Sequence, residues 1–453
     1  MKAITIPTLI LLLFIGSCQS VRKEAHTSNV ETINIEKPIS LSIEELIEDF
    51  DTIRLEASDH SLLSDIRYIR IMNDKLYVTD KTESTVFIFT IDGKYISKIC
   101  DQGQGPKEYL RISRLEVDPF NSRVLITDAF SRKLLIYDEA GRQSEVIQVD
   151  FFPMRFVSDR SRRNMHLNPG SIMRDLSRNE ISNTHNILII DREGNIKDSF
   201  LEDKTPQRIN ITNGASTSYT DNGELLYMPI LSNIIYRIHE NETLPEFELV
   251  PRNHSVLTDE DKKEIFYTFE KENVTEYEDN GHFLSFGCFL KSDNIILLSS
   301  GWNRDLRTFY STKSKKSFTY EPKKMKGNEY MQDIFYNFPQ AATGETFYIG
   351  IDPVLMEYAT PQLPEGKLKT FFERLRASDL NRGIFALEHC FFCHFGTEIP
   401  ACHNYNGVNI ALFKHFIVIC IACGRGLALV GKYFYSLFNT FFQAVTNDRH
   451  VNV

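Results

Sequence analysis

Cysteine is nearly absent from the body of this chain. Only Cys100 and Cys288 lie between the leader and residue 389 of 453. Two lone thiols exclude the disulfide framework that staples a small exported domain. Also missing is an apolar run of the roughly 20 residues needed to cross a bilayer as a helix. There is no basic excess either: the net charge is -10, which excludes a general attraction to nucleic acid. The body carries no Gly-x-Ser-x-Gly elbow, no His-Glu-x-x-His and no phosphate loop. Its histidines (His26, His60, His166, His185, His239, His254 and His282) are scattered and are expected at surfaces or turns. No catalytic residue, metal ligand or cofactor is therefore assigned.

What is present begins with a leader. Lys2 supplies a basic start, and Ile4 to Ile15 is an apolar run of signal-peptide length. Ile15-Gly16-Ser17-Cys18 resembles the lipobox of bacterial lipoproteins, an aliphatic residue and two small ones before a cysteine. The expectation is cleavage after residue 17 and lipid on Cys18, with residues 18–40 as that anchor and a polar tether. Multiple acyl chains would make membrane attachment stable.

From about Leu46 the chain reads as short strands rich in Ile, Val, Tyr and Phe. Tyr68–Met72, Lys75–Thr79, Thr85–Thr90 and Tyr95–Ile99 form one meander, with turns at Asn73-Asp74 and Asp92-Gly93. Leu115–Asp118, Arg123–Thr127, Lys133–Tyr137 and Ser144–Val149 form a second. Thr79-Asp80 aligns on Thr127-Asp128 and Gly93 on Gly141, both at an offset of 48 residues. A fixed period of four strands marks a propeller blade, whereas a sandwich needs no period. About six such units fit between residues 50 and 355. The repetition of Asp80 and Asp128 points to a structural hydrogen bond. Ser158–Ser182 is expected as a long basic loop, Asp259–Asn280 as partly helical, and 365–377 as a short helix with one apolar face. Thr32–Ile35 is the candidate strand to close the ring.

Leu46 to Glu56, and the motif Gly103-Gln104-Gly105-Pro106-Lys107-Glu108-Tyr109, resemble the six-bladed β-propeller lipoproteins of Bacteroides-type bacteria. So does the order of lipobox, tether, first blade, glycine motif and second blade. The resemblance implies an all-β, six-bladed propeller over residues 41–381, related to NHL-type repeats. It also implies a place in the cell envelope, on the outer membrane facing the periplasm or the cell surface. It implies no reaction.

From Arg382 the composition departs. Residues 382–453 carry five of the eight cysteines and ten of the 33 phenylalanines, with few charges. Four readings are open: a frameshifted or disordered product, a zinc site built on Cys390-x-x-Cys393 and Cys420-x-x-Cys423, a membrane-associated segment, or a disulfide-stapled one.

Candidate ligand contacts are Gln104, Lys107, Glu108 and Tyr109 in the glycine motif, and Arg160 and Arg162 in a basic stretch of an acidic chain. The motif can equally lock one blade to the next. The functional expectation is a lipid-anchored propeller that binds or scaffolds a glycan, a peptide or an envelope protein, with an envelope lyase or hydrolase at the channel mouth as the alternative.

Overall fold

The computed structural model describes residues 30–350 and a few between 361 and 373, apart from internal stretches of which 168–184, 203–216 and 326–338 are the longest. The leader, Cys18, the start of the tether and the 382–453 tail lie outside the described residues. Of the expected 365–377 helix, the described residues Lys369, Thr370 and Glu373 are helical.

In chain order the strands begin with β1 (Glu31–Ile35). The first four-stranded meander is β2 (Ile66–Met72), β3 (Lys75–Asp80), β4 (Val86–Thr90) and β5 (Tyr95–Ile99). The second is β6 (Arg114–Asp118), β7 (Arg123–Asp128), β8 (Lys133–Asp138) and β9 (Gln143–Gln148). The third is β10 (Arg155–Ser158), β11 (Asn164–Leu167), β12 (His185–Ile190) and β13 (Ile196–Glu202). The fourth is β14 (Thr217–Tyr219), β15 (Leu225–Tyr227), β16 (Ile234–His239) and β17 (Glu242–Pro251). A helical insert follows, with the parallel pair β18 (Ser255–Val256) and β19 (His282–Phe283) around α1 (Asp259–Thr268) and α2 (Lys271–Asp279), as the sequence led us to expect. The fifth meander is β20 (Cys288–Lys291), β21 (Ile295–Ser300), β22 (Leu306–Ser311) and β23 (Lys316–Tyr320), and the hairpin β24 (Ala341–Thr343) and β25 (Thr346–Tyr348) comes last.

Burial explains why the inner strands are apolar without clean alternation. β3, β7 and β8 are buried at almost every position, while the outer β5 and β9 alternate. A strand covered on both faces reads as a continuous apolar run. Here each sheet is covered by its two neighbours. Val124 and Ile126 of β7 pack with Tyr77 and Ile88 of the first sheet, whereas Leu125 packs with Phe156 and Leu188 of the third. Val157 and Leu167 meet Leu225 and Tyr227, and Leu226 and Phe247 meet Phe289 and Leu298. Successive sheets therefore share successive cores, and the arrangement is a propeller.

Two expectations are corrected. Among the described residues there are five blades of at least four strands, not six. The two-stranded β24–β25 hairpin closes the ring instead: Phe347 meets Phe309 of the fifth blade edge to face at 5.7 Å, while Ala341 and Tyr348 pack against the first. Secondly, β1 does not close the ring. It adds in parallel to the outer edge of blade four, from Glu31 opposite Phe247 to Ile35 opposite Pro251. Ile33 and Ile35 are buried there between blades four and five, and that apolar seam decides the pairing. The chain then bridges Ile39 to Tyr320 of β23.

His166 on β11 also departs from its expected surface position: it is fully buried beside Phe151, at 4.9 Å between ring centroids. Burial holds its pKa down to about 3 from an ordinary 6.5. The unfolded chain takes up a proton as pH falls below about 6.5, but the folded chain does not until about 3, so stability is lost across that window. By pH 4.5 the loss from this residue is about 3 kcal/mol. Urea melts at pH 6.5 and 4.5 should show it, and His166→Leu should flatten the difference. An unchanged difference in the variant would assign the acid sensitivity elsewhere.

Candidate functional site at the mouth of the ring

In an antiparallel meander the connections alternate between the two ends of the blade. Turns between first and second strands, and between third and fourth, lie at one end. The links from second to third strand, and from each blade to the next, lie at the other.

The sequence-derived contact residues fall on both ends. Arg160 and Arg162 sit in the tight turn between β10 and β11, where a long loop had been expected. Both are exposed, and each is tied to backbone or amide groups: Arg162 Nε donates to Asn121 Oδ1 at 2.9 Å, and an Arg160 guanidinium N–H to the Asn222 carbonyl at 3.2 Å. Buried Asp118 organises this end, accepting from Asn121 N at 3.1 Å and Arg123 at 3.1 Å.

The glycine motif lies in the link from β5 to β6, which belongs to the opposite end. Tyr109 is fully buried, and its hydroxyl donates to the Ser84 carbonyl at 2.6 Å and to the Ile99 carbonyl at 3.3 Å. Glu108 folds back to accept from Gly105 N at 2.8 Å, and a Cβ on Gly103 would lie 2.0 Å from that carboxylate. The glycines make room for Glu108. Lys133 Nζ donates to the carbonyls of Gly105 and Glu108, both at 2.7 Å. Glu108 and Tyr109 thus build the lock between blades one and two, while Gln104 and Lys107 are exposed. The structure does not bring Arg160 and Arg162 together with these residues.

What the structure does assemble is a second group that sequence reading missed. The first strands of the blades neighbour one another and line the axis, with β2 beside β6, β6 beside β10 and β24 beside β2. Arg70 of β2 grips Glu116 of β6 with two bonds, Nε to Oε2 at 2.8 Å and Nη2 to Oε1 at 3.2 Å. Arg114 of β6 and Arg155 of β10 reach the same Oε1, each at 3.6 Å. Arg70 also donates to the carbonyls of Ile69 and Gln340, tying β2 to the closing hairpin. Burial works against the charge on Arg70, and Glu116 more than offsets it, so its pKa is raised.

Tyr68 stands in the same group. The guanidinium carbons of Arg67, Arg114 and Arg70 lie 5.3, 5.4 and 6.0 Å from its ring centroid. Such contacts are cation–π attractions. Burial pushes the Tyr68 phenol up, but the positive charges of Arg114 and Arg67 and their hydrogen bonds outweigh it, and the net pKa is lowered. Two cation–π pairs with exposed rings lie at the same end: Arg111 over Phe130 at 5.9 Å, and the half-buried Arg132 over Phe152 at 4.7 Å. Phe130 is 63% exposed, the highest value among the large apolar side chains of the described residues. Arg111 precedes Arg114 by one short step of chain, and Phe152 precedes Arg155 similarly, so the links into blades two and three each deliver a rim group and an axial arginine.

A family described as a domain of unknown function, DUF4934, matches residues 27–379, and the chain belongs to that family. The match stops just short of the compositional change at Arg382. Among solved structures, a protein described as exported from Bacteroides fragilis is similar with a TM-score of 0.61 and 14% identity, covering 76% of this chain and 95% of that one. At this identity the likeness establishes the propeller fold alone. A member of the DUF4221 family from Bacteroides vulgatus gives a TM-score of 0.39 at 11% identity, covering 61% and 86%. A virginiamycin B lyase from Staphylococcus aureus gives 0.35 at 10%, covering 63% and 78%. No curated protein matches the chain.

Proposed function

We propose that this chain is a lipid-anchored binding module of the bacterial cell envelope, held by Cys18 on the outer membrane. Its propeller captures a glycan, a peptide or an envelope protein at the end of the ring where the blades are linked. The observation that carries the reading is the exposed rings of Phe130 and Phe152, each beneath a guanidinium, at the same end of the ring as the Tyr68 cluster. Aromatic faces that remain in water beside guanidiniums cost solvation when idle and favour contact with a partner. The lipobox-like Ile15–Cys18 stretch supports the anchor, and the fold shared with an exported Bacteroides protein agrees with export.

The anchor is tested by labelled fatty acid: Cys18 should incorporate it and Cys18→Ala should not. Binding is tested by thermal shift on the chain from Gln19 onward, against neutral and acidic oligosaccharides, peptidoglycan fragments and peptides. A ligand should raise the melting temperature in proportion to its saturation. Phe130→Ala with Phe152→Ala should abolish that rise while the variant still melts cooperatively. A rise that survives both truncations would place the binding surface elsewhere on the ring.

A lyase or hydrolase at the mouth is the second reading, and one observation favours it. The Tyr68 phenol, with its pKa lowered, is displaced in the direction a general base requires. Turnover of an acidic oligosaccharide that disappears in Tyr68→Phe would replace the binding reading with this one.

A further inference from the structure

The group on β2, β6 and β10 gathers four guanidiniums around one carboxylate and one phenol. One arginine and one glutamate suffice to tie two strands, and Arg70 with Glu116 does so with two bonds. Yet Arg114 and Arg155 also approach Glu116, and Arg67 joins Arg70 and Arg114 around Tyr68. Four guanidiniums are drawn together in a chain whose net charge is -10. Like charges at such spacing repel, and the repulsion is strongest where water is partly excluded. Arg155 is 5% exposed and the side chains of Arg70 and Arg114 each 11%, so the screening is weak. Arg67 is exposed and Tyr68 half-buried, which leaves the group in reach of solvent. Guanidinium forks match planar and tetrahedral oxyanions.

We propose that this axial group is an oxyanion site, which takes a carboxylate or sulfate of an acidic ligand at the mouth of the ring. The inference rests on the binding reading above and gives that ligand its charge. The lowered Tyr68 pKa agrees with it, because that phenol reports a positive local field. Carboxylate and sulfate share the required chemistry and differ in shape, so two probes separate them.

The experiment is calorimetric titration of the chain from Gln19 onward with trigalacturonate, inorganic sulfate and, as a neutral saccharide, maltotriose. At least one anion should bind saturably and more weakly as salt is added. Binding of trigalacturonate alone assigns the site to a carboxylate, and binding of sulfate alone to a tetrahedral anion. The double variant Arg114→Gln, Arg155→Gln should weaken that anion at least tenfold. If it fails to melt cooperatively, Arg155→Lys, which keeps the charge and loses the fork, should weaken it by a smaller factor. A spectral titration of wild type minus Tyr68→Phe should show the phenol ionising at higher pH with the anion bound, a change that a purely structural stitch would not produce. Two results overturn the site: neither anion binds the folded chain, or the arginine variants bind it unchanged. Binding of maltotriose without either anion would sink the oxyanion site and leave the binding reading standing.

Discussion

Asp128→Ala should lower the unfolding free energy by about 3–5 kcal/mol, the lower part of the sum for three backbone N–H groups at about 1–3 kcal/mol each. Asp128 ends β7 with no exposed surface. One carboxylate oxygen accepts from Phe130 N at 2.9 Å and Ser131 N at 3.2 Å, closing the turn into β8. The other accepts from Leu110 N at 2.7 Å and from the Ser131 hydroxyl. The carboxylate therefore joins the link between blades one and two to a turn within blade two. Alanine leaves three backbone N–H groups without their acceptor, and each such loss costs about 1–3 kcal/mol where water cannot reach. Asp128→Asn keeps one oxygen and should lose about half as much. Urea unfolding of both variants checks this, with the midpoint falling and the slope unchanged. A drop below about 1 kcal/mol for alanine would mean that water reaches the turn. Arg111 and Phe130 are held by these same two pieces of chain, so Asp128→Ala should also weaken any ligand taken at the mouth.

Gly194→Ala is expected to be as damaging, by a different route. Gly194 turns the chain between β12 and β13 at φ +87°, a conformation that costs an alanine roughly 1–2 kcal/mol. Steric contact costs more than this strain. A Cβ there would lie 1.9 Å from the Gln148 carbonyl oxygen on the outer strand of blade two. Neither group is the end of a flexible side chain, so the seam between blades two and three must open. A total of about 3 kcal/mol or more is expected, a fall of roughly 5 °C in melting temperature for a chain of this size. Gly93 offers the comparison. Its φ is +90° and its Cβ would lie 2.1 Å from the Arg54 carbonyl. Arg54 belongs to a short segment outside any strand, which Glu56 ties to this turn through Glu56 N to the Gly93 carbonyl and Tyr95 N to the Glu56 carboxylate. A segment outside the ladder has fewer backbone bonds to break in shifting than the outer strand of a blade. Gly93→Ala should therefore cost less, and thermal melts of both variants side by side would show the order. The reverse order would mean that the Arg54 segment is the stiffer partner.

The two glycines show what sequence could say. Gly93 and Gly141 stood out because they recur at a fixed offset after an apolar run, and both have positive φ at the turn before a fourth strand. The Thr79-Asp80 and Thr127-Asp128 repeat was legible for the same reason: each ends the second strand of a blade. The β5–β6 motif likewise carried its own explanation, since Glu108 bonds within the loop it closes. The expected loop from Ser158 to Ser182 is corrected as far as Leu167, where β10 ends and β11 runs; these strands are four residues each and buried throughout, too short for a period to show, and 168–182 lies outside the described residues.

The strand meander, the repeat of about one blade and the turn chemistry were determined by the sequence itself, because each depends on residues a few positions apart. Only the tertiary structure decided the rest. β1 joins β17 because the apolar groove between blades four and five exists only once both blades are built. Among the described residues, the β24–β25 hairpin stands between blades five and one, where Phe347 meets Phe309 and Ala341 and Tyr348 join the core of the first blade, contacts between residues far apart in sequence. Arg70, Glu116 and Arg155 meet because one strand from each of three blades faces one axis; along the chain they lie tens of residues apart, and no local pattern carries that information.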